Sequence, residues 1–390
     1  MQNRTSKSCI YIGEDSSITK NNVRKMTCII TIFTPDKTII SEDSAVSSNT
    51  RTYTGVEKTI ILSNDPPMTM SYYGNSDFDN IPVENIISEY VKHTDFKIVN
   101  TVDKVKKDFL NYVNKVMPQE SIDEYLQRKL ISFKEECRGF SDTDMKYYSL
   151  INFEKTTLPL FEDYEFDFSD LIPDNITSNE KVRLNRNLNN IFLSLFSDEL
   201  CGIVIVGVNK KTMKNGYTNF EMLFNLKNNV LICNENEELH MNKSRIKVFA
   251  QNDVINGFFN DIDGELLSII SQNLQEYINE TLKILFSNLE YKINISKEDL
   301  RKINDEINHV QENSMIKEEF ENSIKNLENN NMENILNEIE IMPKCEIMRM
   351  NETLINLTRL KRIITSEPMT VDGNVSHHVL SLKNGIEKFY

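Results

Sequence analysis

The sequence predicts an α+β chain, with antiparallel sheets and helices stacked in layers and segregated along the chain. Three observations predict it. Residues 26–73 carry four short β-type apolar runs separated by turn residues, residues 201–250 carry a second such block, and the stretches between and after them show helical spacing of apolar residues. A doubly wound parallel sheet would need strand and helix to take turns, and here they do not.

Taken in order, residues 1–26 hold Arg4, Lys7, Lys20, Arg24 and Lys25 but only one short apolar stretch, Cys9-Ile10-Tyr11-Ile12. They lack the apolar core of a secretory signal and are expected to be a leader or propeptide-like segment. Cys28 to Phe33 and Thr38 to Ser41 flank Thr34-Pro35-Asp36-Lys37, two β-rich runs across a Pro-Asp turn, which reads as a hairpin. Lys58 to Leu62 and Met68 to Tyr73 follow as two more strands across Asn64-Asp65-Pro66-Pro67. Pro82 stands where a first helical residue would, ahead of Val83, Ile86, Ile87 and Tyr90 at helical spacing.

From about 95 to 197 charged amphipathic helices are expected, on Val105, Phe109, Leu110 and Val113, then on Ile122, Tyr125, Leu126 and Leu130. Thr177 and Glu180 form a capping box that opens the helix carrying Leu184, Leu188, Ile191 and Leu195. Cys201 to Val208 reads as a strand buried on both faces, Asn219 to Phe224 alternates, and Arg245 to Ala250 is a third strand. After Asp253 the chain turns helical, with Val254, Phe258, Leu266, Ile269 and Ile270 on one face and a charged helix capped at Ser296. Pro343 opens a last helix through Ile347, Met350, Leu354, Leu357 and Leu360, and Val379 to Leu382 is the closing strand.

Composition excludes several classes. The 390 residues carry 44 Lys and Arg against 59 Asp and Glu, a net charge of −15, so the field of the whole molecule repels nucleic acid and anionic lipid. Mean hydropathy is −0.42, and no apolar run reaches the roughly 18–20 residues a membrane span needs. Cys9, Cys28, Cys137, Cys201, Cys233 and Cys345 form no Cys-x-x-Cys, which disfavours a zinc site and a disulfide framework. A reducing, cytoplasmic setting is the expectation, with no nucleic-acid or membrane partner and no cofactor. The histidines, His93, His240, His309, His377 and His378, offer no pair four residues apart on a helix, and His377 and His378 would point to opposite faces of a strand.

The remaining signal lies in Met26-Thr27-Cys28-Ile29-Ile30, then Ile40-Ser41-Glu42-Asp43-Ser44-Ala45-Val46, then Lys58-Thr59-Ile60-Ile61-Leu62-Ser63, then Tyr73-Gly74-Asn75-Ser76. This block resembles the start of a proteasome β-type subunit, where a mature N-terminal Thr begins the first strand, an Asp-Ser pair ends the second and a Lys begins the third. The separation of Thr27 and Asp43 is that of the family, and Lys58 falls one position short of it. The wider pattern is similar to a bacterial proteasome-like group of N-terminal-nucleophile (Ntn) hydrolases, through Phe249-Ala250-Gln251-Asn252-Asp253-Val254-Ile255 and Leu357-Thr358-Arg359-Leu360-Lys361-Arg362. The resemblance covers about residues 26–92, 198–262 and 340–383. It implies an αββα sandwich over residues 27–390, a single domain with two antiparallel sheets formed from the two β blocks and helical insertions at about 95–197 and 284–340.

The resemblance also implies roles. Thr27 would be the nucleophile once its α-amine is exposed, because a threonine hydroxyl needs an adjacent base and an α-amine of pKa about 7.7–8.0 supplies one. Lys58 would lower that pKa and steady the alkoxide, Asp43 would hold Lys58, and the Gly74 N–H would be the oxyanion donor. The expected activity is hydrolysis of a peptide, protein or small amide substrate, in a homo-oligomer. Plain structural readings stand beside these: Thr27 as a strand-starting residue, Asp43 and Lys58 as a structural ion pair, Gly74 as a turn glycine, and Cys28 as core. Active proteasome subunits also carry an Asp and a Ser just before a Gly-Gly at the last strand. Here the stretch is Pro368-Met369-Thr370-Val371-Asp372-Gly373, with neither in register, so a catalytically inactive Ntn-fold subunit serving assembly or binding is the alternative.

Overall fold

The computed structural model describes residues 28–48, 51–79, 81–150, 158–161, 163–226, 229–250, 254–255, 332–365 and 371–390. The chain falls into two compact units, Met1–Gln251 with Pro343–Tyr390, and Asn252–Met342. In the second unit the described residues are 254–255 and 332–342, and 332–341 is helical. The expected apolar face at Phe258, Leu266, Ile269 and Ile270 and the cap at Ser296 lie outside the described residues.

The first unit is α+β. Its strands are β1 (Cys28–Phe33), β2 (Thr38–Asp43), β3 (Val46–Ser48), β4 (Arg51–Tyr53), β5 (Thr59–Asn64), β6 (Pro67–Gly74), β7 (Asp77–Phe78), β8 (Ile81–Pro82), β9 (Cys201–Asn209), β10 (Lys214–Leu226), β11 (Asn229–Glu238), β12 (Arg245–Ala250), β13 (Val375–Ser381) and β14 (Gly385–Phe389). One five-stranded sheet has the order β12-β1-β2-β13-β14 and the other β11-β10-β9-β6-β5, with antiparallel pairing throughout. Short ribbons, β3 with β4 and β7 with β8, stand apart.

The sheets do not divide by β block. β1 pairs with β12 on one side, Cys28 facing Ala250 and Phe33 facing Arg245, and with β2 on the other. All six β1 residues are buried, which a central strand covered on both faces requires, so it recruits a strand from the far end of the unit. β9 lies at the centre of the other sheet, between β10 and β6, as β2 does in the first. β11 and β14 were not apparent in the sequence: β11 reads Asn-Val-Leu-Ile-Cys-Asn-Glu-Asn-Glu-Glu and is largely exposed, the charged character of an edge strand.

The two sheets share an apolar interior. Ile29, Phe33, Ile40, Phe249 and Leu380 from the first pack with Tyr73, Val204, Val206, Val208 and Tyr217 from the second. Phe33 and Tyr217 rings meet at 5.5 Å, Tyr73 and Phe249 at 6.0 Å. On the outer face of the second sheet lie the helices Val83–His93 and Val102–Val116, which bury Val83, Ile86, Ile87, Tyr90, Val105, Phe109 and Val113 against Met68, Met70, Tyr72, Ile203, Ile205 and Phe220. The helix Lys344–Ile364 covers β2 of the first sheet, burying Ile347, Leu354 and Ile355.

Pro82 is not the first helical residue. Its ψ of 127° is extended, it pairs in β8, and the helix begins at Val83. The helices Ile122–Cys137 and Ser178–Asp198 open on capping boxes at Ser121 with Glu124 and at Thr177 with Glu180. With Asp142–Leu150 they build a separate aromatic core, in which Phe192 lies 4.9 Å from Phe166, 5.2 Å from Phe196 and 5.3 Å from Phe133. This core meets β10 through Tyr125, stacked on Phe224 with centroids 4.0 Å apart.

Candidate active site

β2 runs through the middle of its sheet and ends in Glu42-Asp43, so two carboxylates arrive in the interior on a strand that hydrophobic pairing fixes in register. Lys58 immediately precedes β5 of the other sheet. The structure brings Asp43 and Lys58 together: Lys58 Nζ donates to Asp43 Oδ1 at 2.9 Å, with side chains 0% and 2% exposed. A buried pair of this kind contributes little net stability, but removing one partner strands the other at a cost of about 3–5 kcal/mol.

Asp43 is further held by backbone donors. Oδ1 also accepts the Cys28 N–H at 2.9 Å, and Oδ2 accepts the N–H groups of Ala45 at 3.1 Å and Asp372 at 3.3 Å. Thr27 lies outside the described residues. The Cys28 nitrogen is nevertheless the atom to which Thr27 is covalently joined, so the chain enters β1 at the Asp43 carboxylate. The Cys28 side chain itself is buried core.

Gly74 ends β6 with φ +74°, and a Cβ there would stand 2.5 Å from the Leu200 carbonyl oxygen. Only glycine fits, for reasons of backbone geometry alone. The following Asn75 N–H donates to Leu200 O at 2.9 Å, which fixes the turn.

Several participants escaped the motif reading. Glu42, 1% exposed, reaches across to the other sheet: Oε1 accepts the N–H groups of Lys58 and Thr59, each at 3.1 Å, and the Ser376 hydroxyl at 3.2 Å. Its Oε2 contacts the Thr59 hydroxyl, itself 2.7 Å from Ser71 Oγ. Burial pushes the Glu42 carboxyl above the usual carboxylate range, against the Thr59 hydroxyl, the Lys58 charge and the two N–H groups, which pull it down.

The C-terminal turn is the other. Ser44 N–H donates to Asn374 O at 3.1 Å, and Gly373, at φ +78°, lies where a Cβ would stand 2.3 Å from Ser44 Oγ. Arg359, from the helix over β2, stands 3.3 Å from the Asp372 carboxylate and donates to the Gly373 carbonyl. So Asp372 gives Asp43 its N–H while its own carboxylate is turned to Arg359. The residues just before it, 366–370, lie outside the described residues.

The paired histidines do point apart. His377 Nδ1 lies 2.8 Å from Ser41 Oγ, which also accepts from Asn351 of the helix Lys344–Ile364. His378 faces Glu57, 3.4 Å from its Nε2, and burial pushes its pKa down to about 4. Among the described residues no group of three His, Cys, Asp or Glu side chains is arranged to hold a metal, and no helix is long and apolar enough to cross a membrane.

Set beside known proteins, the chain matches no family model. Reticulocyte-binding protein homolog 1 of Plasmodium falciparum (isolate 3D7) is 26% identical over 151 residues, 38% of this chain and 5% of that protein, so the chain spans a small fraction of that relative. Among solved structures, Anbu (ancestral beta-subunit) from Yersinia bercovieri is similar over 93% of this chain and 86% of its own, at 8% identity and a TM-score of 0.31. Neither likeness carries an activity over to this chain.

Proposed function

We propose that the chain is an Ntn-type hydrolase of peptide or other amide bonds, with Thr27 as nucleophile after exposure of its α-amine. The observation that carries this reading is the Asp43 carboxylate, one oxygen of which accepts both the Lys58 ammonium and the Cys28 N–H at 2.9 Å. An ammonium locked in a dry site beside the entry to β1 favours the neutral form of a nearby amine and stabilises an alkoxide. Two antiparallel sheets sharing an interior, with helices on their outer faces, support the αββα Ntn arrangement. The Thr27 hydroxyl attacks the substrate carbonyl while its amine takes the proton. The Gly74 N–H donates to the oxyanion of the tetrahedral intermediate. As that collapses the C–N bond breaks, the leaving amine takes the proton from the Thr27 ammonium, and water, deprotonated by the Thr27 amine, then hydrolyses the Thr27 ester to release the acid. The substrate is a peptide, protein or small amide, and the working form is a homo-oligomer.

A second reading, a catalytically inactive subunit of the same fold, is favoured by the Asp372 carboxylate, which stands 3.3 Å from Arg359 rather than at the Asp43–Lys58 pair. One experiment separates the two. A peptide epoxyketone consumes the hydroxyl and the amine of a single residue, so intact mass after incubation should show an adduct on Thr27 of a product beginning at Thr27, and none on Thr27→Ala. A stable product retaining residues 1–26 with no adduct overturns the hydrolase reading and leaves the inactive subunit.

A further inference from the structure

Glu42 is an unusual neighbour for a reactive ammonium. Asp43 already opposes Lys58 directly, and a second ionised carboxylate in the same dry interior would add a negative charge where desolvation is most expensive. The hydrogen bonds around Glu42 are nonetheless complete. Oε1 takes three donors, the Lys58 and Thr59 N–H groups and the Ser376 hydroxyl. Oε2 faces a hydroxyl relay that runs in either direction: Thr59 to Glu42, or Glu42 to Thr59 and on to Ser71. A proton on Oε2 keeps both contacts of the relay, because Thr59 accepts it and donates to Ser71 instead, with the Ser71 hydroxyl hydrogen turned away from Thr59.

We infer that Glu42 is a positioning residue, a neutral carboxylic acid that ties the Lys58–Thr59 main chain to β2 and leaves Asp43 to balance the Lys58 ammonium. Adjacent residues of one strand thus grip Lys58 twice, Glu42 at its backbone and Asp43 at its charge. The direction in which burial moves the Glu42 carboxyl agrees. Among the described residues, the titratable groups that face it include Lys58, with Asp43 on its ammonium, and Tyr72 of β6, and further along β13 stands His378 with Glu57 and Lys388 beyond. For its effect on catalysis the inference rests on the hydrolase reading. When Glu42 loses its proton as pH rises, the new negative charge holds the proton on the Thr27 amine and weakens the field on the alkoxide, so acylation slows.

The test compares the full chain with E42Q and E42A. The E42Q amide keeps a carbonyl acceptor for the three donors and offers an N–H to Thr59. The ratio of E42Q to wild-type epoxyketone labelling rates should rise by about threefold or more from about pH 6 to about pH 9, and E42A should be about tenfold slower than E42Q across that range. A ratio independent of pH overturns the inference. A second series needs no activity. A folded-state pKa raised above the unfolded one gives stability that is complete below the ordinary carboxylate range and is lost as pH rises through the raised value. The thermal midpoint of E42Q should therefore climb relative to wild type as pH rises, and a constant difference overturns the inference. If no variant labels, the hydrolase reading falls and the thermal series alone decides about Glu42. Should E42Q fail to fold, the protonated-carboxyl infrared band of wild type decides: present at neutral pH and lost on alkalinisation supports the neutral acid, and absent at neutral pH overturns it.

Discussion

At the end of β2 the interior is ionic: Asp43 and Lys58 meet with almost no exposure, and Glu42, Thr59, Ser71 and Ser376 form a hydrogen-bonded layer between the sheets. In the helices of 122–198 the interior is aromatic, and the charges are at the rim, where Lys129 with Glu199 and Arg128 with Glu120 stay roughly a quarter to a half exposed. Rim pairs of this kind are worth about 0–1 kcal/mol. A burial that costs desolvation and returns little net stability is not explained by folding alone, and the proposed role of Lys58 beside the entry to β1 would explain it. The helices of 122–198 need no such explanation, since ring packing alone accounts for them.

The largest expected effect tests that contrast directly. Lys58→Ala leaves the Asp43 carboxylate buried without its ammonium, and should destabilise the first unit by about 3–5 kcal/mol and remove epoxyketone labelling of whatever folds. Denaturant unfolding and intact mass read the two effects separately. A Lys58→Ala protein that unfolds like wild type would show that the pair is not dry. Phe192→Ala is the counterpart in the aromatic region. It opens a cavity among Phe133, Phe166, Phe168 and Phe196 and should cost about 3 kcal/mol, with the labelling rate of the folded protein preserved. Equal loss of labelling in both variants would erase the distinction between the regions.

The two regions also differ in what the sequence disclosed. Apolar patterning placed the helices on Phe109, Tyr125 and Leu184 and the strands at Cys28 and Cys201, because a helix stripe has a local period and a doubly buried strand is a short continuous apolar run. Strand order has none: nothing near Cys28 says that its partner is Ala250, which depends on non-local closure. At the site, Asp43 and Lys58 stood out as charges at strand ends within a resembling motif. Glu42 did not, because a carboxylate beside another carboxylate reads as solvent-facing polarity until the second sheet is seen against it. The Asp372 N–H was invisible for a different reason, since a backbone donor leaves no mark in residue identity.

A smaller effect concerns pH. Burial holds His378 well below its ordinary value, at about 4, so its neutral form contributes stability that is present above the unfolded pKa of about 6.5 and is lost as pH falls toward 4. The wild-type midpoint should drop across that window by the equivalent of about 1–3 kcal/mol, and His378→Gln should flatten the fall. This titration belongs to β13, beside Glu57, and the aromatic core has no counterpart, since residues 122–198 hold no histidine.

The smallest expected effect lies in the helices of 122–198 and separates local from tertiary stabilisation there. Thr177 accepts the Glu180 N–H, and Glu180 accepts the Thr177 N–H at 2.8 Å, closing the first turn of Ser178–Asp198 reciprocally. Thr177→Ala removes the side-chain acceptor and leaves an N–H exposed to water, a loss of about 1 kcal/mol. If the helix were held chiefly by its cap, the loss would exceed that of Phe192→Ala. Packing of Leu184, Leu188, Ile191, Phe192 and Phe196 into the shared core predicts the reverse order, with Thr177→Ala costing roughly a third as much. Amide exchange confined to the first helical turn of Thr177→Ala, with the rest of the helix protected as in wild type, is the expected pattern, and loss of protection along the whole helix would show that the cap governs it.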